Sequence, residues 1–86
     1  KRFLKLFGNR VNLDEVEELV RGLGYSCACT GEDDYLRIVT TNKESLTHIK
    51  NFASTAMDIP LSGLEVVYIE RIPRSDAGKI LYSELK

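Results

Sequence analysis

Between Asn12 and Gly24, the residues Leu13, Val16, Leu19, Val20 and Leu23 recur with the period of an α-helix. Asp14, Glu17, Glu18 and Arg21 fall on the opposite, polar face of that helix. Asn12 is a suitable N-cap, Glu15 three positions later completes a capping-box pattern, and Gly24 supplies the stop. Two runs of strand composition follow, Tyr25 to Thr30 and Tyr35 to Thr40, separated by the turn Gly31-Glu32-Asp33-Asp34. Asn42 can cap a second helix carrying Leu46, Ile49, Phe52, Ala53 and Ala56 on one face, which Asp58 and Pro60 end. Leu64 to Ile72 is rich in β-branched residues and predicts a third strand, closed by Pro73. Ile80 to Leu85 has room for a short terminal helix. Ahead of all this, Phe3 to Phe7 alternates loosely and Gly8-Asn9 breaks it before Arg10-Val11, the pattern of a short hairpin.

The implied class is α+β: a three-stranded sheet with two helices packed on one face, plus an N-terminal β-hairpin. Eighty-six residues provide for one core, so positions 1–86 read as a single domain. The chain opens on Lys1 inside a motif, and the expectation is a piece of a longer polypeptide. No apolar run is long enough to span a bilayer, and none resembles a signal segment.

Twelve basic against thirteen acidic residues give a net charge of −1, which argues against general nucleic-acid binding. Yet Lys1, Arg2, Lys5, Arg10 and Lys79 concentrate in the two terminal segments, which suits a small anionic ligand better than a polyanion. Cys27 and Cys29, at i and i+2 of a strand-like run, share one face near the upper limit for disulfide geometry. They read as two small buried hydrophobes in a reduced protein, and with the lone His48 they are too few ligands for zinc.

Few residues offer chemistry. Lys79 follows Gly78 on a loop, but the upstream glycine and the Ser/Thr of a phosphate-cradling P-loop are missing. Glu15, Glu17 and Glu18 are accounted for by capping and the helix dipole. His48 sits between core positions and points to solvent, while Tyr25, Tyr35 and Tyr68 alternate with apolar residues and read as sheet packing. No Ser-His-Asp set, metal cluster or nucleotide loop is present, so the chain holds no complete active site.

Two segments together carry a resemblance. Leu4-Lys5, Gly8-Asn9-Arg10-Val11 and Glu15-Val16-Glu17 resemble the I-K-x-x-G-x-R-I-x-x-x-E-I-E segment of the adenylate-forming superfamily. That group includes acyl-CoA synthetases, adenylation domains of nonribosomal peptide synthetases, and luciferases. Ile72-Pro73-Arg74-Ser75-Asp76-Ala77-Gly78-Lys79-Ile80 resembles the superfamily's L-P-R-T-x-x-G-K-I motif. The resemblance implies its small C-terminal lid domain, inactive alone, belonging to a cytoplasmic ATP-dependent ligase.

By the same resemblance Lys79 is the catalytic adenylation lysine, Lys1 the hinge, and Lys5 and Arg10 reach the nucleotide. Phe7 and Gly8 line the pantetheine tunnel in a second orientation of the lid. ATP and Mg2+ are expected to be bound mainly by an N-terminal domain of the same enzyme. A carboxylic acid is the expected substrate, and coenzyme A or a carrier-borne phosphopantetheine the acceptor. The alternatives are an adenylation domain that loads a carrier protein, and a non-catalytic α+β module that binds an anionic partner.

Overall fold

A computed structural model describes residues 3–85. It opens with a hairpin of β1 (Phe3–Leu6) and β2 (Asn9–Asn12), in which Leu4 lies opposite Val11 and Lys5 opposite Arg10. Alternation turns Leu4, Leu6 and Val11 into the core and leaves Phe3, Lys5 and Arg10 outside. The reversal itself is Phe7–Gly8, one position before the Gly8-Asn9 break expected, and Asn9 is the first residue of β2.

Helix α1 (Leu13–Arg21) starts at the expected cap, with the Asn12 side-chain oxygen accepting from the Asp14 N–H at 2.9 Å, but among the described residues no Glu15 bond completes the expected capping box. Its last turn tightens until the Gly24 N–H donates to the Arg21 carbonyl. The helix is rotated from the expected setting. Leu13, Val16, Glu17 and Val20 face the core, whereas Leu19 and Leu23 are each 39% exposed. Glu17, placed by periodicity on the polar face, is only 3% exposed.

The sheet has the order β3-β4-β5. Strands β3 (Cys27–Glu32) and β4 (Tyr35–Thr40) are antiparallel around a two-residue turn, Asp33–Asp34, tighter than the expected four-residue turn. Strand β5 (Leu64–Tyr68) lies parallel to β4, a pairing that needs a long crossover. Helix α2 (Leu46–Met57) provides it. Asn42 caps a 3-10 turn, Lys43–Ser45, that runs into this helix, and Asp58 ends it in the left-handed region. Ile49 and Ala53 are buried, but Ala56, expected on the same face, is exposed.

Both faces of the sheet are covered. Cys27, Cys29, Leu36, Ile38 and Leu64 meet α1, α2 and the hairpin, so the two helices do lie on one face. Ala28 and Val39 point the other way and are closed off by Ile72 and Leu85, with Ile69, Ile80 and Tyr82 beside them. The third strand stops at Tyr68 rather than Ile72 because its partner β4 stops at Thr40; the Ile69 N–H donates to the Thr40 carbonyl, and among the described residues no strand continues the pairing. The terminal helix reduces to one 3-10 turn, Tyr82–Glu84. Ile80 is bridged to Arg74, and the Leu81 N–H donates to Pro73, which keeps the preceding residues extended. Tyr68, read as a packing residue, is 45% exposed, with Lys43 Nζ 5.9 Å from its ring.

Candidate functional site

The residues with chemical potential fall on two protrusions, the β1–β2 hairpin and the loop between Pro73 and Leu81. On the hairpin Lys5 and Arg10 are paired directly across the ladder, so both side chains leave from the same exposed face. Like charges held opposite each other repel, and among the described residues no carboxylate forms an ion pair with either. Arg10 leans back over Phe3, its guanidinium carbon 4.2 Å from the ring centroid, which fixes its position. A shallow cleft brings Lys5, Gly8 and Arg10 together with Phe3, Leu4 and Asp33. Chemically, two cations on one face, one of them stacked on an aromatic ring, suit an anion.

The turn at the end of this hairpin is conformationally costly. Phe7 has φ 50° and Gly8 φ 88°. Glycine takes such values freely, but a bulky side chain does not, at a cost of about 1–2 kcal/mol. Three contacts over-determine it. The Phe7 N–H donates to Asp34 Oδ1 at 2.7 Å, the Asp34 N–H donates to the Lys5 carbonyl at 2.8 Å, and the Lys5 N–H donates to Asp33 Oδ1 at 3.3 Å. The Phe7 ring lies on Gly63, where a side-chain carbon would come within 2.5 Å of it. That ring is nonetheless 51% exposed.

Lys79 stands on the second protrusion. Its side chain is exposed and makes no ion pair among the described residues. The loop beneath it is well tied: Ser75 N–H to the Lys79 carbonyl at 2.8 Å, Gly78 N–H to the Ser75 carbonyl at 2.9 Å, and Arg74 Nη1 to the Gly78 carbonyl at 3.1 Å. The Lys79 N–H also approaches Ser75 Oγ at 3.2 Å. An ammonium group on a flexible stem therefore rises from a braced base. Three residues on, Tyr82 returns to the interior and donates to the Glu17 carboxylate.

Of the positions singled out by sequence, the hairpin gathers Lys5, Phe7, Gly8 and Arg10, and Lys79 stands apart on its own loop. Lys1 lies outside the described residues. Cys27 and Cys29 are both buried, as expected, and no disulfide joins them. Hydrogen bonding between them lowers the Cys27 thiol below its ordinary value, against the opposing effect of burial. His48 faces solvent, edge-on to Tyr25 at 6.1 Å. Among the described residues no three His, Cys, Asp or Glu side chains come together as metal ligands, and no helix is long and apolar enough to cross a membrane.

Sequence reasoning missed Asp33, Asp34 and Gly63, which hold the hairpin turn, and Glu17 with Tyr82, which secures the tail. The two aspartates were visible only as turn formers. Their partners lie 27 and 28 positions away, so no local signal marks them.

No family model matches the chain, and no curated protein matches it. Among solved structures it is similar to NpsA from Klebsiella oxytoca, determined in complex with 3-hydroxyanthranilyl-AMSN. The TM-score is 0.73 at 21% identity, over 96% of this chain and 18% of that one. The chain thus spans under a fifth of the length of that protein, and the two share a fold.

Proposed function

We propose that the chain is the C-terminal lid domain of an ATP-dependent, AMP-forming acid–thiol ligase of the acyl-CoA synthetase type, within the adenylate-forming superfamily. The observation that carries this reading is the exposed Lys79 ammonium, unpaired among the described residues, on a loop braced by Arg74 and Ser75. A group so placed is available to a reaction centre outside the domain. The shared fold supports the reading, since NpsA was determined with an adenylate analogue and a chain of this size is a small part of it.

In this reading Lys79 steadies charge as the substrate carboxylate attacks the α-phosphorus of ATP and pyrophosphate leaves. Lys5 and Arg10 approach the nucleotide, and their paired, unneutralised cations fit a phosphate or ribose. ATP and Mg2+ are held mainly by the N-terminal domain of the same cytoplasmic enzyme. Lys1 is assigned to the hinge. After rotation about it, the Phe7–Gly8 turn faces the pantetheine arm of coenzyme A, where a residue without a side chain leaves room for the thiol.

The test is Lys79→Ala in the full-length ligase. ATP–pyrophosphate exchange is expected to fall by about 10²–10³, the effect of removing one preorganised donor. Thioester formation from a supplied acyl-adenylate is expected to persist. Equal loss in both half-reactions would overturn the role of Lys79. Coenzyme A and a phosphopantetheinylated carrier are offered in parallel as acceptors, and preference for the carrier replaces the synthetase reading with carrier loading. Tight nucleotide binding by the 86-residue chain alone would identify a self-sufficient binding module instead.

A further inference from the structure

The Phe7–Gly8 turn is held from outside the hairpin. Asp34, at the tip of the β3–β4 turn, accepts the Phe7 N–H at 2.7 Å and donates its own N–H to the Lys5 carbonyl at 2.8 Å. The first distance is that of a charge-assisted bond. Asp34 is itself in the left-handed region, at φ 65°, where an aspartate is tolerated better than most residues. Two turns from distant parts of the chain therefore brace each other through one carboxylate. Gly63, just ahead of β5, completes the seat: any side chain there would strike the Phe7 ring.

A two-residue hairpin loop needs positive φ at both positions, which accounts for the backbone of Phe7 and Gly8 but not for a bulky, half-exposed ring at the first of them, where Asn, Asp or Gly would fit with less strain. Such strain persists where the surroundings over-determine it, and it concentrates at positions that must present a group in one orientation. We propose that Asp34, with Gly63 as the platform for the ring, is a positioning residue that holds the Phe7–Gly8 turn in the shape required to receive the thiol acceptor. The inference rests on the lid reading above and extends it to residues outside both motifs. Asp34 touches neither substrate nor nucleotide in this scheme; it acts through the Phe7 amide.

Three variants of the full-length ligase test it. Asp34→Gly keeps the left-handed backbone and removes the carboxylate, Asp34→Asn keeps an acceptor, and Gly63→Ala displaces the ring with Asp34 intact. For Asp34→Gly and Gly63→Ala the thiol KM in the thioester half-reaction is expected to rise about tenfold, with pyrophosphate exchange within about twofold of wild type. Asp34→Asn is expected to restore the thiol KM, and Phe7 amide exchange should quicken in Asp34→Gly alone of the two Asp34 variants. A thiol KM unchanged in both Asp34→Gly and Gly63→Ala overturns the proposal. So does a parallel loss of both half-reactions, or failure of Asn to rescue. If Asp34→Gly does not fold, Gly63→Ala still decides. A wild-type protein lacking both half-reactions sinks the lid reading instead, while Phe7 amide exchange still reports whether Asp34 holds the turn.

Discussion

Tyr82 donates its phenolic hydrogen to the Glu17 carboxylate across 65 positions of sequence, 2.8 Å from one oxygen and 3.1 Å from the other. The same carboxylate accepts the Cys29 N–H at 2.8 Å and pairs with Arg21 at 2.9 Å. Cys29 lies on β3, an edge strand, where alternate N–H groups point away from the sheet and need an acceptor. Glu17 supplies it from α1. The tail that follows Lys79 is thereby pinned to the helix on one side and, through Leu81 and Pro73, to the loop base on the other.

Replacing Glu17 with Ala removes the acceptor from a buried backbone N–H and a half-buried hydroxyl, and is expected to cost about 1–3 kcal/mol for the groups left unpaired. Tyr82→Phe leaves the carboxylate its other partners and is expected to cost about 1 kcal/mol. Because the two residues share one bond, the double variant is expected to lose less than the sum by at least ~0.5 kcal/mol. Urea denaturation of the four proteins measures this. Strict additivity would show that the contact contributes no coupling energy.

Gly31 lies in β3 where the chain passes close to β4 and the hairpin. A side-chain carbon there would collide with the Tyr35 carbonyl oxygen and come within 2.9 Å of Leu4 Cδ1 and 3.1 Å of Leu36 Cα. Two of these obstacles are backbone in a paired strand, so relief requires shifting the ladder. Gly31→Ala is expected to destabilise by about 3 kcal/mol, the upper range for overpacking. In a domain of this size that lowers Tm by roughly 12–24 °C. A thermal melt within a few degrees of wild type would show that the strand yields easily there.

The parts of this fold written locally were legible. The Asn12 and Asn42 caps, the Asp58 stop, the strand composition of Tyr35–Thr40, and the alternation of β1 all act within a few residues, and β3 was expected at Tyr25–Thr30, two residues ahead of its observed Cys27–Glu32. What failed depended on partners elsewhere. Glu17 belongs to the polar face by composition and becomes buried only because Cys29 and Tyr82 arrive to satisfy it, which in turn rotates Leu19 and Leu23 outward. Strand β5 could not announce its end, because the end is set by Thr40 of β4. The hairpin cations were readable from the motif, whereas Asp34 and Gly63 act on Phe7 only once the sheet has formed.

On the sheet face away from the helices, Tyr35, Arg37 and Glu65 form a hydrogen-bonded cluster, with the Tyr35 hydroxyl and Arg37 Nε both directed at Glu65 Oε1. The Tyr35 bond first, and then the Arg37 bond, hold the Glu65 carboxyl below the ordinary glutamate range. A carboxyl whose folded pKa is depressed stabilises the fold above its unfolded value, and that contribution fades as pH falls through the folded value. Wild type is therefore expected to melt above Glu65→Gln at pH 7, by a margin that shrinks as pH drops below the ordinary carboxylate range. Because the group is exposed, salt should also narrow the margin. A difference independent of pH would exclude Glu65 as its source.

Lys5 and Arg10 pose a sharper question, since stability and function should respond to them in opposite directions. They face each other across the hairpin, both exposed, with no ion-paired carboxylate among the described residues. Opposed like charges cost an antiparallel pair about 0.2–1 kcal/mol. Lys5→Gln relieves that repulsion and leaves Arg10 on Phe3, so it is expected to raise Tm by up to a few degrees at low ionic strength. The gain should vanish at high salt, where screening already removes the repulsion. On the function proposed above, the same variant of the full-length protein is expected to bind nucleotide more weakly. Repulsion that a neutral residue would relieve supports the nucleotide role proposed above for the two cations. Should Lys5→Gln lower Tm at low salt, the cations do not oppose each other, and the proposal that the hairpin receives an anion loses this support.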